Sequence, residues 1–324
     1  MALNEKKKSN ALIYIMLFVL LGVTILALFS GRYSINFNTI RTSEGFNIFY
    51  NVRMPRVIMS LLCGGALGVS GGIFQKVFKN DLASPDIIGI SSGSSLGAVI
   101  AIVLFGSISY YIQLFAFLGG ILSVVFVFII ANFNKENYIF SLIISGIVIS
   151  AMCTSVVMIF KYTADPYNKL PSIEFWLMGG LHNVKVQQMY FVLILYLILF
   201  FIIYKLRWSL QVISLSDDEI KSLGVNIFAR RVIFIIIATF LVSTVVSNCG
   251  VIGWVGLIAP YIARLITKKW IFMSFIIGSI ILVISDALAR SITANEIPIG
   301  ILISFLGAPF LIYLLVKRGS GYNA

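Results

Sequence analysis

Only 11% of this 324-residue chain is charged, and it holds one histidine and three cysteines. A soluble domain carries about 25% charged residues, so a water-soluble fold is excluded at the outset. The lone histidine, His182, argues against a histidine-rich metal or haem-ligand site. Cys63, Cys153 and Cys249 all lie in or beside apolar stretches. Their spacing matches neither a disulfide framework nor a metal motif, so they are expected to be small buried hydrophobes. No Gly-Lys dipeptide occurs, hence no P-loop of the G-x-x-x-x-G-K-[ST] form, and ATP hydrolysis by that route is excluded. Nor is there a His/Glu/Asp or Ser-His constellation of the kind an intramembrane enzyme needs.

What the chain has in abundance is hydrocarbon: 60% hydrophobic residues and a mean hydropathy of +1.03. A spanning helix takes about 20 apolar residues, and the pattern suits about ten of them in one all-α polytopic membrane domain. Barrel-type alternation is absent, so the spans are helices, which satisfy their own backbone in lipid. They are expected near 11–29, 57–78, 88–106, 112–132, 139–160, 190–206, 232–248, 271–289 and 298–316. A shorter segment at 249–267 is broken by Gly250, Gly253, Gly256 and Pro260. The first run lacks an A-x-A-like cleavage site and is read as a span rather than a signal peptide. A net charge of +12 would suggest nucleic acid in a soluble protein. Here the basic residues sit between apolar runs, sixteen of 24 on one side of the predicted topology. The positive-inside rule then puts both termini in the cytoplasm.

One long polar connector flanked by strongly apolar segments runs from Arg207 to Arg231, on the cytoplasmic side of that topology. Ile213, Leu215, Ile220 and Leu223 form a possible apolar stripe on short helices, with Gly224 ending the second. Asp217, Asp218 and Glu219 would lie at its N-terminal end, as dipole-offsetting caps or as contact residues. Two glycine ladders recur at i+4, Gly64, Gly68 and Gly72 in the second span and Gly89, Gly93 and Gly97 in the third. Such spacing lets helix backbones approach closely, so packing is their expected role. Glu296-Ile297-Pro298 reads as the start of the last helix.

Three stretches carry a family resemblance. They are Arg53-Met54-Pro55-Arg56 with LLCGGALGVSGGIFQKVFKNDLASPDIIGISSGSSLG, the connector's SLSDDEIKSLGVN, and CGVIGWVGLIAPYIARLI continuing through SDALARSITANEIPIGILISFLGAPFLIYLL. In this order, from about Arg53 to Leu315, they resemble the FecCD family of ABC importer permeases for iron-siderophores, haem and cobalamin. The resemblance implies that family's fold of ten transmembrane helices in a bacterial cell membrane. It implies a second permease subunit, two cytoplasmic ATPase subunits that hold the ATP and Mg, and an extracytoplasmic binding protein or lipoprotein. No cofactor or metal is expected on this chain.

Carried over residue by residue, the coupling helices for the ATPase fall on Leu215 through Val225, with Leu215, Asp217, Asp218, Glu219, Leu223 and Gly224 as candidates. Leu223 and Gly224 are the better contact candidates, an apolar knob and a site of close approach. Arg53, Arg56 and Arg290 align with positions that meet acidic residues of the binding protein. Arg56 has snorkelling as a local alternative, and Arg290 has pairing with Asp286 at i+4. Arg53 shows no local partner in the sequence. The translocation pathway is expected beside the fifth span, at Ser141, Ser145, Ser150 and Thr154, where helix packing explains such residues equally well. Two departures from the family pattern stand out: Asp81 replaces a proline after Asn80, and Tyr261 replaces a histidine after Pro260. The expected cargo is an iron-siderophore, with haem or cobalamin as alternatives. An ion-coupled secondary transporter is the rival class, and it would rest on Asp286 as its buried carboxylate.

Overall fold

In hydrocarbon, every peptide group must find its partner within its own segment, so apolar runs of this kind fold as helices and stop only where protein or water takes over. The computed structural model describes the backbone of residues 2–31, 33, 38–134, 137–215, 217–224, 226–293 and 296–320. It describes all their side chains except those of residues 2–8, 217, 218, 221 and 313–320. Among the described residues fourteen α-helices follow one another: α1 (Ala2–Phe29), α2 (Ser43–Ile48), α3 (Met54–Val77), α4 (Ile90–Phe105), α5 (Ser109–Ala131), α6 (Tyr138–Thr163) and α7 (Lys169–Leu177). Then come α8 (Val186–Lys205), α9 (Arg207–Val212), α10 (Asp217–Ser222), α11 (Ile227–Cys249), α12 (Val255–Ile266), α13 (Trp270–Ile292) and α14 (Ile299–Ser320). Among the described residues there is no strand. Seven helical runs are long and apolar enough to cross a membrane, and α4, α12 and α14 are shorter apolar helices. The ten agree with the expected number of spans.

The second span differs from expectation at its start. The span expected near 57–78 begins earlier, because Ser43–Val77 is one helical run with a π-turn at Phe49–Arg53. Thr42 caps it, its hydroxyl accepting from the Gly45 N–H at 3.1 Å.

Helix α3 is the axis of the bundle: 89% of its apolar window is buried, against 17% for α1 and 28% for α6. Its glycines explain why. A Cβ on Gly64 or Gly68 would strike the backbone oxygen of Gly278 or Ser274 on α13, one on Gly71 the oxygen of Gly256, and one on Gly72 the Trp270 ring. Gly64 and Gly278 face each other reciprocally. Gly93 and Gly97 do the same for α4, against Gly119 and the Phe115 carbonyl on α5. Gly89, expected in that ladder, is instead the residue before α4, left-handed at φ +76°, and it packs against Gly146 and Ser150 of α6. Its positive φ is what ends the Pro85–Ile88 turn, so its glycine serves backbone conformation as well as packing.

The broken segment became α12, whose Val255–Pro260 half is buried against α3 and α13. Its freed backbone faces protein rather than lipid.

The contact pattern generates a paired prediction. Gly71→Ala should lower the melting temperature and yield of purified protein, at a cost at or above the ~1–3 kcal/mol typical of overpacking. Gly22→Ala, on α1 where a Cβ meets nothing within 4 Å, should leave both unchanged. A thermal melt of the two variants checks this.

Candidate functional site

Two clusters of polar or exposed side chains sit at opposite ends of the bundle. The first is the connector end. Lys205 and Arg207 close α8 over the rings of Phe201 and Tyr204, at 5.4 and 4.4 Å from the ring centroids. Two short helices then follow, α9 and α10. The expected apolar stripe divides between two directions: Ile213 and Ile220 are fully buried, while Leu215 and Leu223 are 39% and 53% exposed. The inward pair anchors the connector, and the outward pair is left as surface. Leu223 closes α10 through N–H bonds to the carbonyls of Glu219 and Ile220. Gly224 follows at φ +67° with open space around it, the C′ position of a left-handed helix stop. Glu219 is exposed, and its carbonyl also takes the Ser222 hydroxyl at 2.7 Å. The side chains of Asp217 and Asp218 lie outside the described residues.

The second cluster is the arginine end. Arg56 of α3 donates from Nε to Asp286 Oδ1 of α13 at 2.8 Å, and its Nη1 lies 2.8 Å from Glu296 Oε2. Arg290 Nε is 3.1 Å from Asp286 Oδ2 as an ion pair, but its N–H is directed at the Asp286 carbonyl, 3.3 Å away. Arg290 Nη2 reaches Ala27 O at 3.2 Å, and Arg53 donates to Leu28 O at 3.2 Å and to Tyr33 O. Ala27 and Leu28 belong to the last turn of α1, whose carbonyls have no helical partner. Two guanidinium groups from α13 and from the turn before α3 therefore cap α1, where the helix dipole favours positive charge.

The structure gives Arg53 the partners that the sequence did not show and bears out the pairing of Arg290 with Asp286. Arg53, expected to have no local partner, is 6% exposed with its donors taken by α1 and the residues after it. Arg56 and Arg290 are 7% and 6% exposed and are held by Asp286. Rather than snorkelling, Arg56 is neutralised inside the protein. Glu296 is likewise an ion-pair partner of Arg56 as well as the approach to α14, which begins at Ile299.

Beside this cluster lie two adjoining cavities. One, of about 420 Å³, is lined by Arg56, Lys185, His182, Asn183 and Ser109; the other, of about 220 Å³, continues past His182 to Gln113, Asn248 and Cys249. His182 stands at their junction with its ring 4.4 Å from that of Phe175. Burial, then the nearby charge of Arg56, pushes its protonation below the ordinary range, so it is neutral at pH 7.

The proposed pathway residues are not brought together. Ser145 is buried at 2%, Ser141 donates to Asn134 O at 3.1 Å, and the Ser150 hydroxyl is enclosed beside Gly89. Of the four, Thr154 alone is exposed. It shares a face of α6 with Ile147 and Met158, at i−7 and i+4, each more than half exposed.

Both departures from the family pattern acquire partners. Asp81 Oδ1 pairs with Arg264 Nη2 of α12 at 3.1 Å, and Arg264 also donates to Gln75 of α3. A proline would have supplied no charge there. Tyr261 sets its ring edge-on to Phe310 of α14, centroids 6.1 Å apart. Sequence spacing hid both ties, because 183 residues separate Asp81 from Arg264.

Among the described residues the protein is helical throughout its regular structure, with a helical connector at one end and a buried charge cluster at the other. Residues 16–317 match the FecCD transport family, and the chain belongs to it. It is an ABC importer permease. It is 37% identical over 326 residues to the Fe(3+)-citrate import permease YfmE of Bacillus subtilis, covering 96% of each chain. It is 35% identical over 280 residues to the molybdate import permease MolB of Haemophilus influenzae, covering 84% of this chain and 82% of that one. The hemin permease HmuU of Yersinia pestis is 31% identical over 318 residues, 93% of this chain and 95% of its own. Among solved structures, a metal-chelate type ABC transporter in an inward-facing conformation superposes with a TM-score of 0.88 at 31% identity, covering 95% of this chain and 99% of that one.

The charge cluster can be tested by removing its centre. Asp286→Asn leaves the buried Arg290 without its ion-pair partner and Arg56 with Glu296 alone, which costs about 3–5 kcal/mol for a pair of this burial. A melting temperature lowered by several degrees relative to Ser291→Ala, an exposed change on the same helix, is the expected result.

Proposed function

We propose that this chain is the permease subunit of an ATP-driven importer that passes a ferric chelate, of the iron-siderophore or iron-citrate kind, into the cytoplasm. The observation that carries the reading is the similarity to the Fe(3+)-citrate permease across 96% of both chains. Similarity to an iron(3+)-hydroxamate permease of Bacillus subtilis, at 34% over 284 residues, supports the same cargo class.

In this reading the connector end is cytoplasmic, as the distribution of lysine and arginine suggests, and both termini lie on that side. Leu215, Leu223 and Gly224 meet a separate ATPase subunit, two copies of which supply the energy. Exposed apolar knobs beside a glycine in open space suit a cleft on a soluble partner. A second permease subunit packs alongside, and a substrate-binding protein docks on the arginine end. There Arg53, Arg56 and Arg290 build the docking face from within, since their donors are internally engaged. With no charged side chain of α6 directed from mid-helix, selectivity is left to the binding protein.

The decisive experiment is reconstitution with the cognate ATPase and binding protein in proteoliposomes. ATP-dependent uptake is then measured for a panel of ferric siderophores, ferric citrate, haem, cobalamin and molybdate. Accumulation of one or more ferric chelates alone is expected; uptake of molybdate, haem or cobalamin with no ferric chelate would overturn the cargo. Uptake that survives loss of the ATPase but collapses with an uncoupler would overturn the energy source. In the same system Gly224→Arg should abolish uptake while the protein inserts and melts normally. Normal uptake by that variant would remove Gly224 from the ATPase contact.

A further inference from the structure

Cysteines 63 and 249 are 186 residues apart in sequence, yet their sulfurs are 3.5 Å apart in the structure, with the Cys249 thiol donating to that of Cys63. Cys63 lies on α3, roughly 14 Å along the helix from Met54 at 1.5 Å per residue, and Cys249 is the last residue of α11. Both are buried, at 0% and 1% exposure. The backbone at Cys249 is held from two sides. Gly180 donates its N–H to the Cys249 carbonyl at 2.7 Å, and Gly250, at φ +68°, closes α11 by donating to Val246 O at 2.9 Å. A Cβ on Gly250 would strike the Trp176 carbonyl, so this turn has no room to swing away. The facing sulfur is equally fixed, because α3 is locked against α13 by the Gly64–Gly278 contact one residue further on.

The pair also has a way in. Cys249 lines the cavity of about 220 Å³ at the arginine end, together with Asn248, Gln113 and His182. That cavity adjoins the larger one lined by Arg56 and Lys185, which share His182 and Asn183 with it. Buried thiols react slowly, so the oxidant that reaches this pair through the cavity must be small and neutral.

We propose that Cys63 and Cys249 are a modification site of this permease, a dithiol that a small hydroperoxide converts to a reversible disulfide joining α3 to α11. In the first step the Cys249 sulfur attacks the hydroperoxide's terminal oxygen; an S–O bond forms, the O–O bond breaks, and the thiol proton passes to the leaving oxygen, giving Cys249 sulfenic acid and water or an alcohol. In the second, the Cys63 sulfur attacks the sulfenic sulfur, the S–S bond forms, and the sulfenic oxygen leaves as water with the Cys63 proton. The two thiols lose two electrons and the peroxide gains them. The sulfurs must close from 3.5 Å to about 2.05 Å, a movement within reach of side-chain rotation. Thiol reductants reverse the bond by exchange.

The test uses full-length protein in lipid nanodiscs carrying Cys153→Ala, which leaves the pair as its only thiols. After treatment with dilute hydrogen peroxide the protein is denatured, alkylated and digested without reductant. The expected result is a fall from two alkylatable thiols to none. A cross-linked peptide pair containing residues 63 and 249 should appear, and reductant should restore both thiols. Two thiols still open to alkylation, or oxidation to sulfinic acid with no cross-linked peptide, would overturn the proposal. Cys63→Ser on the same background checks the order of steps. Its Cys249 should then trap as a sulfenic acid that dimedone labels, and a Cys249 inert to both peroxide and dimedone would overturn the route through the cavity. Thermal melting of each variant before oxidation establishes that the folded protein is being read.

Discussion

Everything else in this permease is placed by the contact of α3 with α13 and α12 at backbone distance. In lipid there is no hydrophobic drive between helices, so association rests on close van der Waals fit and on hydrogen bonds that small residues permit. Gly64, Gly68 and Gly71 let α3 lie directly on the backbones of Gly278, Ser274 and Gly256. That one packing aligns both ends. It sets Arg56 of α3 beside Asp286 of α13 at one end, and Gln75 of α3 beside Arg264 of α12 at the other. The polar ties are therefore read as consequences of helix approach. A charge pair buried in an apolar bundle is weak evidence of stabilisation by itself, but once α3 and α13 are fixed, neither partner can be lost cheaply.

The two ends are built differently, in keeping with different tasks. At the arginine end, guanidinium groups turn inward, closing α1 and neutralising Asp286 and Glu296, and the remaining polar surface lines cavities around His182. At the connector end, apolar side chains turn outward. Ile213 and Ile220 tether the connector to the bundle while Leu215 and Leu223 are left exposed. A partner that pulls on the exposed pair would transmit that pull through the buried pair.

Family membership narrows the class of molecule without naming the cargo. Relatives at similar identity are named for iron citrate, hemin and molybdate.

Much of this was readable from residue order. Hydropathy and length located the spans, because a helix in lipid needs about 20 apolar residues whatever its neighbours are. The i+4 glycines of α3 announced close packing, and Gly224 announced the end of α10, because both follow from local geometry. What local geometry leaves open is which surface a side chain meets. Ile213 and Leu215 look equivalent in sequence and face opposite ways. Gly89 keeps the ladder's spacing but stands in a turn, since Pro85–Ile88 uses the residues that would have extended α4. Arg53 seemed unpartnered because Leu28 and Tyr33 are 25 and 20 residues away. Cys63 and Cys249 looked like two isolated thiols. Sequence alone determined the long apolar helices and the family; only the tertiary structure decided the pairings, because distant residues meet when helices dock, and docking depends on all the surfaces at once.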